Sequence, residues 1–358
     1  MSLARFRRLK NRILVNRRQL YLSLAVVAAI VLVGSILLLT KAAGSIVSTE
    51  TETGTKSTQA VQVSDATASA GKAVKFTPPS LTPTCTGKPN ATCTGVPVGT
   101  TLTIVTGDQT YSTDGQVLSG LDIRGNVQIT GKNITIKNSI IRGGNLPCTN
   151  SNQNTAPLWV RSDVGATNFT FQDSELYPSN PTACQDGIWA SNITILRANI
   201  HGAVDGIKAD NNITVKDSYI HDLSWFASDP NQGGGQTHND GLQTYRCNSN
   251  ILVQHNNIDL STTTNGNAAY QITQDYGIRC VNIVIDDNWL DGGGCTINIA
   301  HKTLANLTGV ALTNNRFGRT REYANCTVLL STQSTLSAYT GNVWEDTGLP
   351  IPAPQVHD

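Results

Sequence analysis

The sequence predicts an all-β chain: a right-handed parallel β-helix, preceded by one N-terminal transmembrane helix and a disordered tether. Three observations predict it. A nine-residue phrase recurs eight times, each copy alternates apolar and polar residues, and an uncharged run of 20 residues follows a start that carries only basic charge.

The repeat is Asn133-Ile-Thr-Ile-Lys-Asn-Ser-Ile-Ile141, and it returns from Asn168 to Leu176, Asn192 to Ile200 and Asn212 to Ile220. Looser copies run Asn250 to Ile258, Asn282 to Leu290, Val310 to Phe317 and Ser337 to Trp344. A two-residue period is that of a half-buried strand. Copies that start about 20 to 38 residues apart match stacked coils that bury a core only against their neighbours. No amphipathic helical stretch separates them, which excludes an α/β crossover design. The leading Asn133, Asn168, Asn192, Asn212, Asn250 and Asn282 are expected at a turn, where asparagine tolerates left-handed φ and bonds the next coil's backbone. Most also spell Asn-x-Thr, a glycosylation acceptor, and a structural ladder is the preferred reading of them.

The apolar run spans Leu20 to Leu39, enough at about 1.5 Å per residue to cross a hydrocarbon core of about 30 Å. Arg5, Arg7, Arg8, Lys10, Arg12, Arg17 and Arg18 precede it without an acid, which keeps that flank in the cytoplasm. The organisation predicted is a basic tail over 1–19, a transmembrane anchor over 20–40, and a Ser/Thr-rich tether over 41–95 with a Cys85/Cys93 loop. The β-helix follows over 96–348 and a disordered tail over 349–358. The alternative is a signal segment cleaved near Ala43, leaving a secreted protein.

The near-neutral total charge hides an asymmetry. Eight of the 26 basic residues fall within the first 44 positions, leaving 18 against 25 acids beyond, a net of −7. An acidic outer domain argues against a nucleic-acid partner. An acidic polysaccharide would need a local basic patch or a bridging cation. All eight cysteines lie beyond the apolar run, which suits an oxidising compartment. Coils stack about 4.8 Å apart, a spacing that suits disulfides between equivalent positions. The pairs expected are Cys247 with Cys280, Cys295 with Cys326, Cys148 with Cys184, and Cys85 with Cys93.

A second phrase recurs: Asp186-Gly-Ile-Trp189, Asp205-Gly-Ile-Lys208 and Asp240-Gly-Leu-Gln243. On one edge of three consecutive coils, the carboxylates would form a column at about 5 and 10 Å. That range covers the pairs of retaining and inverting glycosidases, and it also suits calcium held by Asp186, Asp205 and Asp240. Ordinary Asp-Gly turn chemistry is the competing explanation. Trp189, Lys208 and Gln243 should face outward as a sugar-binding strip. His201, His221 and His238 add imidazoles to the same stretch, for acid/base work or a metal, against the commoner reading of solvated turns. Ser228 to His238 is a glycine-rich insertion long enough to act as a lid, and Arg246 adds a charge nearby. The 221–246 stretch is therefore the predicted binding site. His301, Lys302, Arg319 and Arg321 read as a second polar set, most simply a solvated face.

The repeated phrase, together with His238-Asn-Asp-Gly-Leu-Gln243 and Asn288-Trp-Leu-Asp-Gly-Gly-Gly294, resembles the pectate-lyase-like superfamily of parallel β-helix proteins over roughly residues 100 to 345. The resemblance implies a bias toward polysaccharide. A lyase would use Lys208 or Arg246 as base beside calcium, and a hydrolase would use paired aspartates as acid and base. The sequence lacks the adjacent Asp-Asp and the Gly-His-Gly arrangement of polygalacturonases. Two readings follow. In one, a surface enzyme works through Asp205, Asp240, Lys208 and His238, with Trp189, Gln243, Arg246 and His221 holding substrate. In the other, a non-catalytic module binds glycan or mediates adhesion.

Overall fold

The structure, a computed structural model, describes residues 60–64, 72–76, 85–244, 250–273, 281–300, 309–324, 326–332 and 334–357. The chain divides into two units, Met1–Pro79 and Ser80–Asp358. In the first, Ala60–Ser64 pairs antiparallel with Lys72–Phe76, so the stretch expected to be an unfolded tether contains a strand pair. The predicted anchor over 20–40 lies outside the described residues. Among the described residues no helix is long and apolar enough to cross a membrane.

The second unit is a β-helix of three parallel sheets. Sheet 1 runs from Gln109–Tyr111 to Gln355–Val356 and carries the Asp-Gly phrases. Sheet 2 runs from Val117–Ser119 to Leu336–Thr340, and sheet 3 from Thr103–Thr106 to Val343–Trp344. Each repeated phrase spans two sheets. In the second copy Phe169–Gln172 is a sheet 2 strand, Asp173 turns the chain at φ 48°, and Glu175–Leu176 enters sheet 3. The same left-handed corner falls at Asn138, Arg197, Asp217, His255, Asp287 and Asn314. This bend divides what reads as one strand.

Alternation then places every second side chain inside. Ile136, Phe171, Ile195, Val215, Val253, Ile285 and Leu312 pair coil to coil as one continuous internal column, all with zero exposure. A polar column runs beside it at the corner. Ser218 N–H donates to Asn256 Oδ1 (2.9 Å), Asn256 N–H to Asn288 Oδ1 (2.9 Å), Asn288 N–H to Asn315 Oδ1 (3.0 Å) and Asn315 N–H to Asn342 Oδ1 (3.1 Å). A buried amide left without a partner costs about 1 to 3 kcal/mol, so this ladder makes burial of the corner tolerable.

The leading asparagines do adopt left-handed φ, from 51° to 61°. Their partners differ from expectation: Asn168 Nδ2 donates to Asn133 Oδ1 (2.8 Å), Asn212 to Asn192 (2.9 Å) and Asn250 to Asn212 (3.1 Å). Side chain bonds to side chain along the outside of the stack, instead of to the next coil's backbone.

Three expected disulfides form: Cys85 with Cys93, Cys148 with Cys184, and Cys295 with Cys326, at Cα separations of 5.3, 5.5 and 4.8 Å. Cys247 and Cys280 lie outside the described residues. Two boundaries are corrected. The Cys85 to Gly95 stretch is fastened to the β-helix by Asn257 Nδ2 to the Pro89 carbonyl (2.9 Å), Gly95 N–H to the Arg197 carbonyl (2.9 Å) and the Lys88–Glu345 ion pair. The tail expected to be disordered closes the stack instead. Gln355–Val356 pairs parallel with Val328–Leu330, and Ile351 is buried.

Candidate functional site

The three Asp-Gly phrases do occupy consecutive coils of sheet 1. Gly187 N–H donates to the Asp205 carbonyl (2.7 Å) and Gly206 N–H to the Asp240 carbonyl (2.9 Å). Trp189 pairs with Lys208, and Lys208 with Gln243. The glycines are there for clearance. A Cβ on Gly206 would stand 2.5 Å from the Gly241 carbonyl oxygen and one on Gly241 2.6 Å from that of Ala269, whereas none of the three has a positive φ. Turn chemistry is therefore not what selects Asp-Gly here.

In each coil the residue three places on turns back to its aspartate. Trp189 Nε1 donates to Asp186 Oδ2 (2.7 Å), Lys208 Nζ lies 3.2 Å from Asp205 Oδ2, and Gln243 Nε2 donates to Asp240 Oδ2 (3.1 Å). Lys208 also pairs with Asp186 at 2.8 Å. Across coils the Asp240 N–H donates to Asp205 Oδ1 (2.8 Å), and Asn267 Nδ2 donates to Asp240 Oδ1 (2.8 Å). All three aspartates are buried. Burial pushes the Asp205 carboxyl up to about 7, with Lys208 opposing and Asp186 adding to the rise. Burial and the nearby Asp205 charge hold Asp240 well above the ordinary carboxylate range.

Such a row is buried and already met by Trp189, Lys208, Gln243 and Asn267. It does not fit calcium: the Lys208 ammonium occupies the space between Asp186 and Asp205 that a cation would need. Among the described residues no cluster of three or more His, Cys, Asp or Glu is arranged to hold a metal ion.

The remaining candidates scatter. His221 faces outward on sheet 3, not sheet 1, in a stack where Tyr177 and His201 lie 4.8 Å apart and His201 and His221 5.1 Å. Its Nε2 meets Asn199 Oδ1 at 2.9 Å, and burial lowers its pKa while Asp222 opposes. His238 is exposed and, among the described residues, makes no hydrogen bond or ion pair. The Ser228 to His238 insertion is held at the loop edge: Asn231 Nδ2 contacts Cys184 Sγ (3.7 Å) and Gln236 Oε1 accepts from Asn265 (3.0 Å). Within the described part of the 221–246 stretch, His221 lies on sheet 3, His238 in the loop that follows, and Asp240 and Gln243 on sheet 1. Arg246, His301 and Lys302 lie outside the described residues. Arg319 and Arg321 lie over the Trp344 ring at 4.0 and 4.7 Å, with Arg319 also paired to Asp346.

The outward row of sheet 1 is longer than the sequence strip. Gln128, Trp159, Trp189, Lys208, Gln243, Gln271 and Asn298 follow one another in register. Trp159 meets Trp189 edge to face at 5.4 Å, and the Arg161 guanidinium lies 4.4 Å from the Trp159 ring centre. Trp159 carried a usable signal, because Leu158-Trp-Val160 has the apolar-x-apolar form of Ile188-Trp-Ala190. Asn267 carried none, since it reaches the Asp row from outside the repeated phrase.

Two depressions lie elsewhere. One, of about 440 Å³, is lined by Arg124, Arg142, Gly143, Gly144, Asn145, Ser179 and Asn180. The other, of about 410 Å³, follows the outer asparagine ladder at Asn168, Asn192, Asn212 and Asn250. Comparison with known proteins adds no name to these surfaces: no family model, no curated protein and no solved structure matches the chain.

Proposed function

We propose that this is an extracytoplasmic β-helix protein of the pectate-lyase-like kind whose sheet 1 face binds polysaccharide. The observation that carries the reading is the in-register row from Gln128 through Trp159, Trp189, Lys208, Gln243 and Gln271 to Asn298. Aromatic faces and amides spaced about 4.8 Å apart along a straight face suit an extended chain of sugar rings. The disulfides agree with an oxidising compartment, and attachment through residues 20–40 is part of the same proposal.

Binding without turnover is the form of this reading that the Asp row favours. An acid/base pair must reach the proton it moves, and here each carboxylate already meets Trp189, Lys208, Gln243 or Asn267. The raised Asp205 supports turnover as a second reading, because a carboxyl poised near neutrality is what a general base requires. A panel of neutral and acidic polysaccharides, followed for binding, reducing ends and 235 nm absorbance, tests both. Trp159→Ala should weaken binding about tenfold or more, as loss of an aromatic anchor does. Unchanged affinity in that variant would remove sheet 1 as the binding face, and unsaturated product lost in Asp205→Asn would establish a lyase.

A further inference from the structure

Lys88 and Lys208 each meet a carboxylate at close range, in opposite surroundings. Lys88 Nζ lies 2.9 Å from Glu345 Oε1 with the two side chains 37 and 34 % exposed, so water surrounds both charges. Lys208 Nζ lies 2.8 Å from Asp186 Oδ2 and 3.2 Å from Asp205 Oδ2, and the lysine is 16 % exposed and each aspartate 3 %. Hydration of the two charges is what keeps an ammonium and a carboxylate from condensing. Burial removes that hydration and favours the neutral amine and acid, the forms that react.

The neighbours of the amine supply the other parts of an acyl transfer. Asp186 and Lys208 come from adjacent coils, set side by side where Trp189 pairs with Lys208 on sheet 1. Trp189 Nε1 donates to Asp186 Oδ2 (2.7 Å), so an N–H already faces the oxygen on which charge would develop. The Trp189 ring centre lies 5.9 Å from Lys208 Nζ. Asp205, three residues before Lys208, has its Oδ1 fixed by the Asp240 N–H (2.8 Å), which leaves Oδ2 turned to the amine. Burial lifts the Asp205 carboxyl to about 7 against the pull of Lys208, which suits a group that takes up and returns a proton near neutrality.

We propose that Lys208 and Asp186 condense into an intramolecular isopeptide bond, with Asp205 as the proton carrier and the Trp189 indole N–H as the oxyanion donor. Asp205 takes a proton from the Lys208 ammonium, and the neutral Nζ attacks Cγ of Asp186. The Nζ–Cγ bond forms, one Cγ–O bond breaks, and Asp205 returns its proton to the departing oxygen. Of the three hydrogens on the ammonium, one stays on the amide nitrogen and two leave in the water released, so no oxidant or co-reactant is needed. The groups are held together by the stack itself, which removes the entropic cost of bringing them into contact.

The product would be a staple between neighbouring coils. Cys148–Cys184 and Cys295–Cys326 already join coils covalently, one before and one after this pair along the chain. A further cross-link restricts the unfolded chain in the same way. The bond does not depend on sheet 1 meeting a glycan, and it leaves an amide in the outward row between Trp189 and Gln243.

The test is tryptic mapping, after disulfide reduction, of the full-length chain and of Asp186→Asn and Asp205→Asn. In the natural chain, cleavage after Lys208 should be blocked. A branched peptide should join 162–197 to 198–216, with a mass one water below the sum of the two. Asp186→Asn should yield the same branch with ammonia lost in place of water, which keeps the test open should the acid variants fold poorly. Asp205→Asn should slow formation about a hundredfold or more, as loss of a proton carrier does. Cleavage after Lys208 in both the natural chain and Asp186→Asn, with the β-sheet circular dichroism of both intact, overturns the proposal. A branch to Asp205 overturns the coil-to-coil assignment, and complete linkage in Asp205→Asn overturns its role as proton carrier.

Discussion

On sheet 1, among the described residues, Lys208 is the cation paired with the row of three buried aspartates, whereas at the start of sheet 3 two arginines share the buried Asp122. Both clusters are built from side chains on adjacent coils, yet they behave oppositely. Where acids outnumber cations, burial drives protons on and the remaining lone pairs are met by Trp189, Gln243 and Asn267. Where cations outnumber the acid, donor groups are left over at a depression. A solenoid thus sets local charge by which residue type occupies each coil of a row, independently of the chain's total.

The largest break in this contrast is expected from Lys208→Met. It leaves Asp186 and Asp205 buried without their cation, which costs about 3 to 5 kcal/mol. Urea unfolding at pH 8 with disulfides intact measures it, and a loss below 1 kcal/mol would show that the row is not held by charge. Next comes Gly206→Ala, whose Cβ meets the Gly241 carbonyl oxygen and Ile220 Cγ2 at 2.5 and 2.7 Å. Forcing the coils apart should cost about 1 to 3 kcal/mol in the same assay, and a neutral result would restore turn chemistry as the reason for Asp-Gly.

The pH dependence sharpens the comparison further. The folded pKa of Asp205, about 7, exceeds the ordinary carboxyl value of about 3.9. Its contribution therefore favours the native state most below about pH 4, declines as pH rises to about 7, and is constant above that. Asp205→Asn should flatten the fall in unfolding midpoint between those limits, and an unaltered slope would assign it to other groups. Smallest is Arg124→Gln. Arg124 is half exposed and Arg142 still holds Asp122, so stability should change by less than about 1 kcal/mol. A larger loss would make the pair a structural unit.

Much of the architecture was legible because a solenoid repeats. Asn133, Asn168, Asn192 and Asn212 announce left-handed corners by residue type, and the Ile and Val positions announce the core by period. The second corner was harder to read, because Arg197 and His255 occupy it as well as Asn and Asp; its trace in the sequence is that the inward positions change parity across it, from Phe169 and Phe171 to Leu176. Trp189, Lys208 and Gln243 were correctly placed on one row. Grouping His221 with them failed, because it ends the sheet 3 strand and the loop that follows carries the chain round to sheet 1.

By itself the sequence determined the repeat unit, the parallel stacking, the inward columns and the three observed disulfide pairs, since each can be read from residue types in or beside a recurring phrase. Only the tertiary structure decided what the charges do. Whether an aspartate faces water or lies under Trp189 and Lys208, and whether Arg124 and Arg142 meet over Asp122, depends on coil lengths and corner angles. These join residues 18 to 35 positions apart in sequence, as Arg124 with Arg142 and Asp205 with Asp240. Local periodicity carries no information about those distances.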